Sequence, residues 1–264
     1  MQKQTPERAR PKVEVDTSHR YGDLVVHERI KFDLFANEFV CICGPSGCGK
    51  TTLLDTLAGI LKPTTGQVLI DGAPANPKLQ SISFVFQEPS TFPWLTVRQN
   101  VATGLAIRGG SRADIDRKVD EIIDVVGLRG AEHLYPYQIS GGMKQRVAIA
   151  RAFATDADLI LMDEPFVSLD QPTRERMQQE VLDIWRRHRR TVIFVTHNLE
   201  EAVFLADRIV ILSAKPGRVV ADLPVKLERP RDPLSEAFME LRGTCMAYLH
   251  AERKPKSSNI EHSK

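Results

Sequence analysis

Gly44-Pro45-Ser46-Gly47-Cys48-Gly49-Lys50-Thr51-Thr52 constrains this chain more than any other stretch. It follows an apolar run of β character, Phe39-Val40-Cys41-Ile42-Cys43, and opens onto Leu53–Ala58, which reads as a helix. This is the G-x-x-x-x-G-K-[ST] pattern in its required strand–loop–helix setting. Glycines at 44, 47 and 49 let the backbone form a concave nest whose N–H groups point at phosphate oxygens. The helix behind it adds the positive end of its dipole. Lys50 has the reach for β- and γ-phosphates, and the Thr51 hydroxyl suits Mg²⁺. The whole run 44–52 is therefore expected to hold a nucleotide. A Gly-rich turn that merely precedes a helix is the bland alternative, and the setting weighs against it.

The remainder of the chain is compatible with that site. Its 264 residues suffice for one large domain. A hydrophobic content of 42% with 27% charged residues is that of an ordinary globular protein, and the net charge of +2 gives no reason to expect nucleic acid. No run approaches the ~20 apolar residues of a membrane span, and Met1–Pro11 has no apolar signal core. A cytoplasmic location is expected. The four cysteines have no zinc spacing and are expected to be reduced and structural, an oxidisable Cys48 thiol near the nucleotide being only a minor side reading.

Along the chain, residues 1–12 and 251–264 read as disordered, polar flanks of one domain over 13–250. Strands are expected at Lys12–Asp16 and Leu24–Val26 around a turn at Tyr21-Gly22-Asp23, and again at Ile30–Leu34. Gln67–Ile70 and Ile82–Phe86 follow. Residues of about 90–150 lack strand patterns and form an α-helical insert in an α/β core. Leu159–Asp163 is a continuous apolar run of the kind a parallel strand covered on both faces has. Then come a helix from Pro172 to His188, strand Thr191–Val195, helix Leu199–Ala206, strand Arg208–Leu212, a hairpin partner at 216–222 and a helix at 233–249.

Two further groups add chemistry. Asp163 ends its strand where ligands gather in open α/β sheets, and suits a Mg²⁺-organising carboxylate. Glu164, one residue on, suits the activation of a water in line with the γ-phosphate. Ile139-Ser140-Gly141-Gly142-Met143-Lys144-Gln145 places a capping Ser before a helix that begins with two glycines, an arrangement suited to an anion.

Together these motifs, in this order, resemble the ATP-binding-cassette (ABC) ATPases. The resemblance covers roughly residues 13–222 and implies a P-loop NTPase core with N-terminal antiparallel strands. It implies ATP and Mg²⁺ as ligands, with Ser140, Gly141, Gly142 and Gln145 belonging to the signature motif that closes over the nucleotide of a second subunit. It also implies that Tyr21 stacks on adenine, that Gln87 contacts Mg²⁺ and the attacking water, that Asp170 of Ser168-Leu169-Asp170 lies in the D-loop, and that His197 is the switch histidine. Ile139 and Ser168 stand where the family commonly has Leu and Ala.

Thr91–Val101 is similar to the segment after the Q-loop in importers of the nitrate, taurine and alkanesulfonate group. That implies a homodimer on the inner face of the membrane, bound to permease subunits and served indirectly by a solute-binding protein. Phe92-Pro93-Trp94 then forms a docking surface, or else Trp94 plugs the core of the insert. Two rival readings are a lipid or export ATPase, and a soluble ATPase on DNA or ribosomes, which would usually carry a tandem cassette or coiled-coil insert. The basic run Arg186–Arg190 is expected to end a helix, with lipid headgroups or nucleic acid as the other reading.

Overall fold

Val13–Tyr21 (β1) and Leu24–Leu34 (β2) form an antiparallel pair at the start of the computed structural model, which describes residues 10–251. The expected pieces Leu24–Val26 and Ile30–Leu34 are one strand. A β-bulge hid this: Val26 and His27 are both buried and Glu28 and Arg29 both exposed, so the alternation slips by one residue opposite a register shift in β1. Lys12 already belongs to the sheet. Its N–H donates to Leu34 O at 2.7 Å, and its C=O accepts from Asp71 N at 2.9 Å. The N-terminal flank therefore ends before Lys12; residues 1–9 and 252–264 lie outside the described residues.

The strand Phe39–Cys43 (β3) runs into residues 44–49 and then helix α1 (Lys50–Leu57). Short strands β4 (Thr65–Ile70) and β5 (Ala73–Pro74) extend the antiparallel part, and β6 (Ile82–Val85) leads out of it. Helices α2 (Val97–Ile107), α3 (Arg112–Val125) and α4 (Gly141–Ala154) make up the helical segment. Then β7 (Leu159–Asp163), α5 (Gln171–His188), β8 (Thr191–Thr196), α6 (Leu199–Leu205), β9 (Arg208–Leu212), β10 (Gly217–Pro224) and α7 (Glu236–Ala251) complete the chain. Ala251, the first residue of the expected tail, is thus still helical.

The strands join in the order β5-β4-β1-β2-β10-β9-β3-β8-β7-β6. From β9 to β6 all neighbours are parallel, while β10 returns antiparallel to β9 and pairs with β2 through Gly217 and Arg218. Both faces of the parallel part are covered. Cys41, Cys43, Ile160, Met162, Phe194 and Ile209 point into the core shared with the helices α4–α6. Their neighbours Ile42, Leu161, Ile193 and Val210 point the other way, onto α1 and the antiparallel strands. Period-2 side chains on doubly covered strands give the unbroken apolar runs. All the phosphate-side strand ends of β3, β7 and β8 consequently emerge at one edge.

Thr96 opens α2 with a capping box, accepting from Gln99 N while its own N–H donates to Gln99 Oε1 at 2.9 Å. Asn100, fully buried, holds the loop before it. Its Oδ1 accepts from Phe92 N at 2.7 Å, and its Nδ2 donates to Phe92 O, Leu95 O and Thr96 O at 2.9–3.1 Å. Trp94, at the tip of that loop, is 70% exposed and does not plug the insert. The two residues should therefore respond oppositely. Asn100→Ala is expected to cost about 2–3 kcal/mol, because buried backbone groups lose their partners. Trp94→Ala should change stability by no more than about 0.5 kcal/mol. Paired denaturant melts measure both.

The basic run resolves as a helix end. Arg189 takes a left-handed conformation at the α5 C-terminus and stacks on Trp185 at 4.9 Å, and Arg190 bonds to Asp156 at 2.8 Å.

Candidate active site

Gly47 and Gly49 have φ of +78° and +96°, where a side chain is strained. At Gly49 a Cβ would also lie 2.4 Å from His27 Nε2 and 2.6 Å from Val26 Cγ1. Only Gly fits between the loop and β2. Lys50 folds back beneath the loop, donating from Nζ to Gly44 O at 3.0 Å and Pro45 O at 3.2 Å. The same Nζ lies 3.3 Å from Glu164 Oε1.

Asp163 ends β7 beside α1, where its Oδ2 accepts from Thr51 Oγ1 at 2.8 Å. Burial pushes the Asp163 carboxyl up, opposed by the Thr51 hydrogen bond and the Lys50 charge. A buried carboxylate paired with a hydroxyl is an all-oxygen donor set, which suits a hard cation such as Mg²⁺. Glu164 adopts φ of +43°, held by its N–H donating to Val195 O at 3.0 Å. That strained turn aims its carboxylate between Lys50 and His197, whose Nδ1 is 2.6 Å from Glu164 Oε2.

Tyr21, Leu24, Val26, Ser46, Gly47, Gly49, Lys50, Thr51, Thr52, Gln87, Glu164 and Lys215 line one cleft of about 500 Å³. Tyr21 is half exposed there, its ring edge-on to His19 at 4.6 Å. Gln87 reaches the same cleft from the end of β6, exposed. Asp163 and His197 do not line it themselves but touch its lining residues Thr51 and Glu164, and three residues of the 44–52 run lie outside it. Gly44 and Pro45 turn their carbonyls to Lys50, and Cys48 is fully buried in the core beneath the loop. Burial raises the Cys48 thiol, which fits the reduced, structural reading and weighs against the side reading of an oxidisable thiol.

The second motif group is also absent from the cleft. Ser140 caps α4, its Oγ accepting from Met143 N at 3.2 Å, and Gly141 and Gly142 open that helix with exposed or half-exposed backbone. Asp170 caps α5 by accepting from Thr173 N at 3.1 Å, which helps hold its carboxyl below the usual range. These residues belong to a separate surface of the subunit. Gln145 differs from them. Its side chain is fully buried and its polar atoms have no hydrogen-bond partner among the described residues, so the expectation of direct nucleotide contact by Gln145 is corrected.

The site also holds residues that no motif marked. His27 Nε2 sits 3.0 Å from Gly49 O, bracing the loop from the facing strand. Burial depresses the His27 pKa, favouring the neutral ring that donates to this carbonyl. Leu24, Val26 and Lys215 line the cleft from β2 and from the turn before β10.

A phosphate loop, a strand-end Asp-Glu pair and a histidine at one sheet edge define a nucleotide-hydrolysing α/β protein. The comparisons narrow this further: the ABC transporter family model matches residues 27–167. An uncharacterised ABC transporter ATP-binding protein of Methanocaldococcus jannaschii is 46% identical over 225 residues, 85% of this chain and 84% of that one. The aliphatic sulfonates import ATP-binding protein SsuB of Bacillus anthracis is 45% identical over 221 residues, covering 84% and 87%. The chain belongs to the ATP-binding proteins of ABC transporters. It is an ATPase that takes ATP with Mg²⁺. Among solved structures, cbiO1 of Clostridium perfringens, part of the transporter complex cbiONQ, is similar with a TM-score of 0.73 and 26% identity over 82% of this chain and 89% of that one. A dimeric ATP-binding cassette in a post-hydrolysis state, bound to ADP and Pi, has a TM-score of 0.69 and 32% identity, covering 82% and 100%.

Proposed function

We propose that this chain is the ATP-hydrolysing subunit of an importer for a small anion of the sulfonate type. In this reading two copies work on the inner face of the membrane beneath permease subunits, with a solute-binding protein acting upstream of them. The observation that carries the reading is Trp94. It is a large aromatic, 70% exposed, on a loop that Asn100 holds in one shape, seven residues after the cleft-lining Gln87. Exposed aromatics on rigid loops make anchors for a partner. The sulfonate importers among the relatives favour import over export and suggest the solute class.

In the hydrolytic cycle, Tyr21 would stack on adenine while the N–H groups of residues 46–52 take the phosphates. Lys50 would exchange its bonds to Gly44 O and Pro45 O for β- and γ-phosphate oxygens. Thr51, Asp163 and Gln87 would hold Mg²⁺, which neutralises phosphate charge when bound. Glu164 would orient and polarise the attacking water, with His197 fixing its carboxylate. Catalysis of this kind works by positioning and electrostatic stabilisation. Ser140, Gly141, Gly142 and Asp170, remote from the cleft of their own subunit, would serve the nucleotide held by the other copy.

Trp94→Ala tests the importer reading. With folding and the isolated subunit's ATPase activity unchanged, association with co-expressed permease should weaken by about 2 kcal/mol or more. Unaltered permease association and solute uptake in the variant would remove the docking role. Uptake of labelled taurine, alkanesulfonate and nitrate by the assembled transporter would distinguish the solutes.

A further inference from the structure

Behind Glu164 and His197 lies a second cavity, of about 60 Å³, bounded by Glu164, Arg174, Thr196, His197 and Glu201 among others. Arg174, near the start of α5, donates from Nη2 to Leu169 O at 2.8 Å. Leu169 is the central residue of the Ser168–Asp170 segment. The Nε of the same guanidinium faces Glu201 Oε1 at 3.6 Å and has no hydrogen-bond partner among the described residues. Glu201, 5% exposed on α6, uses its other oxygen to accept from Thr196 Oγ1 at 2.6 Å. Thr196 Oγ1 in turn accepts from Asn198 N at 2.9 Å. Thr196 and Asn198 flank His197, so these two bonds fix the turn that carries the imidazole.

The chemistry of the pair argues for a purpose beyond packing. Burial raises the Glu201 carboxyl, against the pull of Thr196 and Arg174. An ion pair in such a place costs desolvation, and well-packed apolar residues often serve stability as well or better. What apolar residues would not supply is a charge-paired link whose two ends are hydrogen-bonded, one to the Leu169 carbonyl and the other to the Thr196 hydroxyl. We propose that Arg174 and Glu201 are positioning residues for hydrolysis, tying the Ser168–Asp170 segment to the turn that bears His197. The Glu164–His197 geometry then follows the placement of that segment, and a shift at Asp170 is felt at the water-activating carboxylate. This rests on the roles given above to Glu164 and His197.

The test is steady-state ATP hydrolysis by the purified full-length chain carrying Arg174→Met, Glu201→Gln or both, with the wild type and Glu164→Gln run alongside. Each single change is expected to lower kcat about tenfold or more while KM for ATP moves less than about threefold, the signature of an interaction that matters to the chemical step. The double variant should fall no further than the worse single one, since the two residues form one link. Arg174→Lys, which keeps the charge, should recover part of the loss. A near-normal kcat in Arg174→Met, a changed KM alone, or multiplicative losses in the double variant would overturn the proposal. If Glu201→Gln fails to fold, the Arg174 variants decide, because that side chain is partly exposed and is not a core residue. Turnover surviving in Glu164→Gln would instead bring down the site assignment itself.

Discussion

Glu164→Gln is expected to bind ATP normally and to lose turnover by about 10²–10⁴-fold, the range typical of a general base. The substitution is well matched to the backbone. Glu164 sits at φ of +43°, and Gln meets the same steric cost there. The amide also keeps the shape of the carboxylate, so its oxygen can still accept from Lys50, which now lies 3.3 Å from Glu164 Oε1. What disappears is the negative charge that polarises water and that His197 holds at 2.6 Å. With hydrolysis blocked, ATP should drive the protein from monomer to dimer if Ser140–Gly142 and Asp170, which lie off the cleft, serve the nucleotide of a second copy as proposed. Nucleotide-binding titration, phosphate release and size-exclusion chromatography with ATP give the three readouts. Retained turnover would remove Glu164 as the base, and a monomer at saturating ATP would count against a composite site.

The phosphate loop and the Asp163-Glu164 pair were legible in the sequence because each is local. A few adjacent residues and the apolar run before them carry the whole signal, and period-2 burial on β3 and β7 makes those runs continuous. The continuity of β2 was illegible for a local reason too, since a bulge puts Val26 and His27 on the same buried side. His27 belongs to a different class. Its value lies in a carbonyl 22 positions away, and nothing around it in sequence announces that contact. Arg174 and Glu201 are separated by 27 positions and meet only because α5 and α6 pack together beside β8. A residue's type within a motif likewise did not reveal its direction. Cys48 and Gln145 sit inside two strong motifs, yet both side chains point into the core. Ser140 and Asp170, by contrast, act at helix starts where capping makes both identity and position readable.

Lys50→Ala should have the other large effect, with a different signature: loss of binding as well as of turnover. Lys50 is 6% exposed and is the cation beneath the loop, bonded to two of its carbonyls and close to Glu164. A hydrogen bond to a charged group is worth about 1.5–3 kcal/mol, so ATP affinity should fall roughly ten- to a hundredfold. Turnover should fall by about a further 10²–10³-fold, as when a donor that stabilises developing charge is removed. A second consequence follows from Asp163. Its carboxyl is already raised by burial and by the nearby Glu164, and the Lys50 charge is one of the influences holding it down. Without Lys50 the Asp163 pKa should rise further, so the deprotonated form that a cation needs becomes scarcer. The nucleotide-binding defect of Lys50→Ala should therefore deepen as pH falls, more steeply with Mg²⁺ present than with the metal chelated. Titration of a fluorescent ATP analogue at several pH values, with and without Mg²⁺, measures this directly. Near-wild-type turnover in the variant would remove Lys50 from the phosphate site, while a pH-independent defect would separate its phosphate contact from its influence on Asp163.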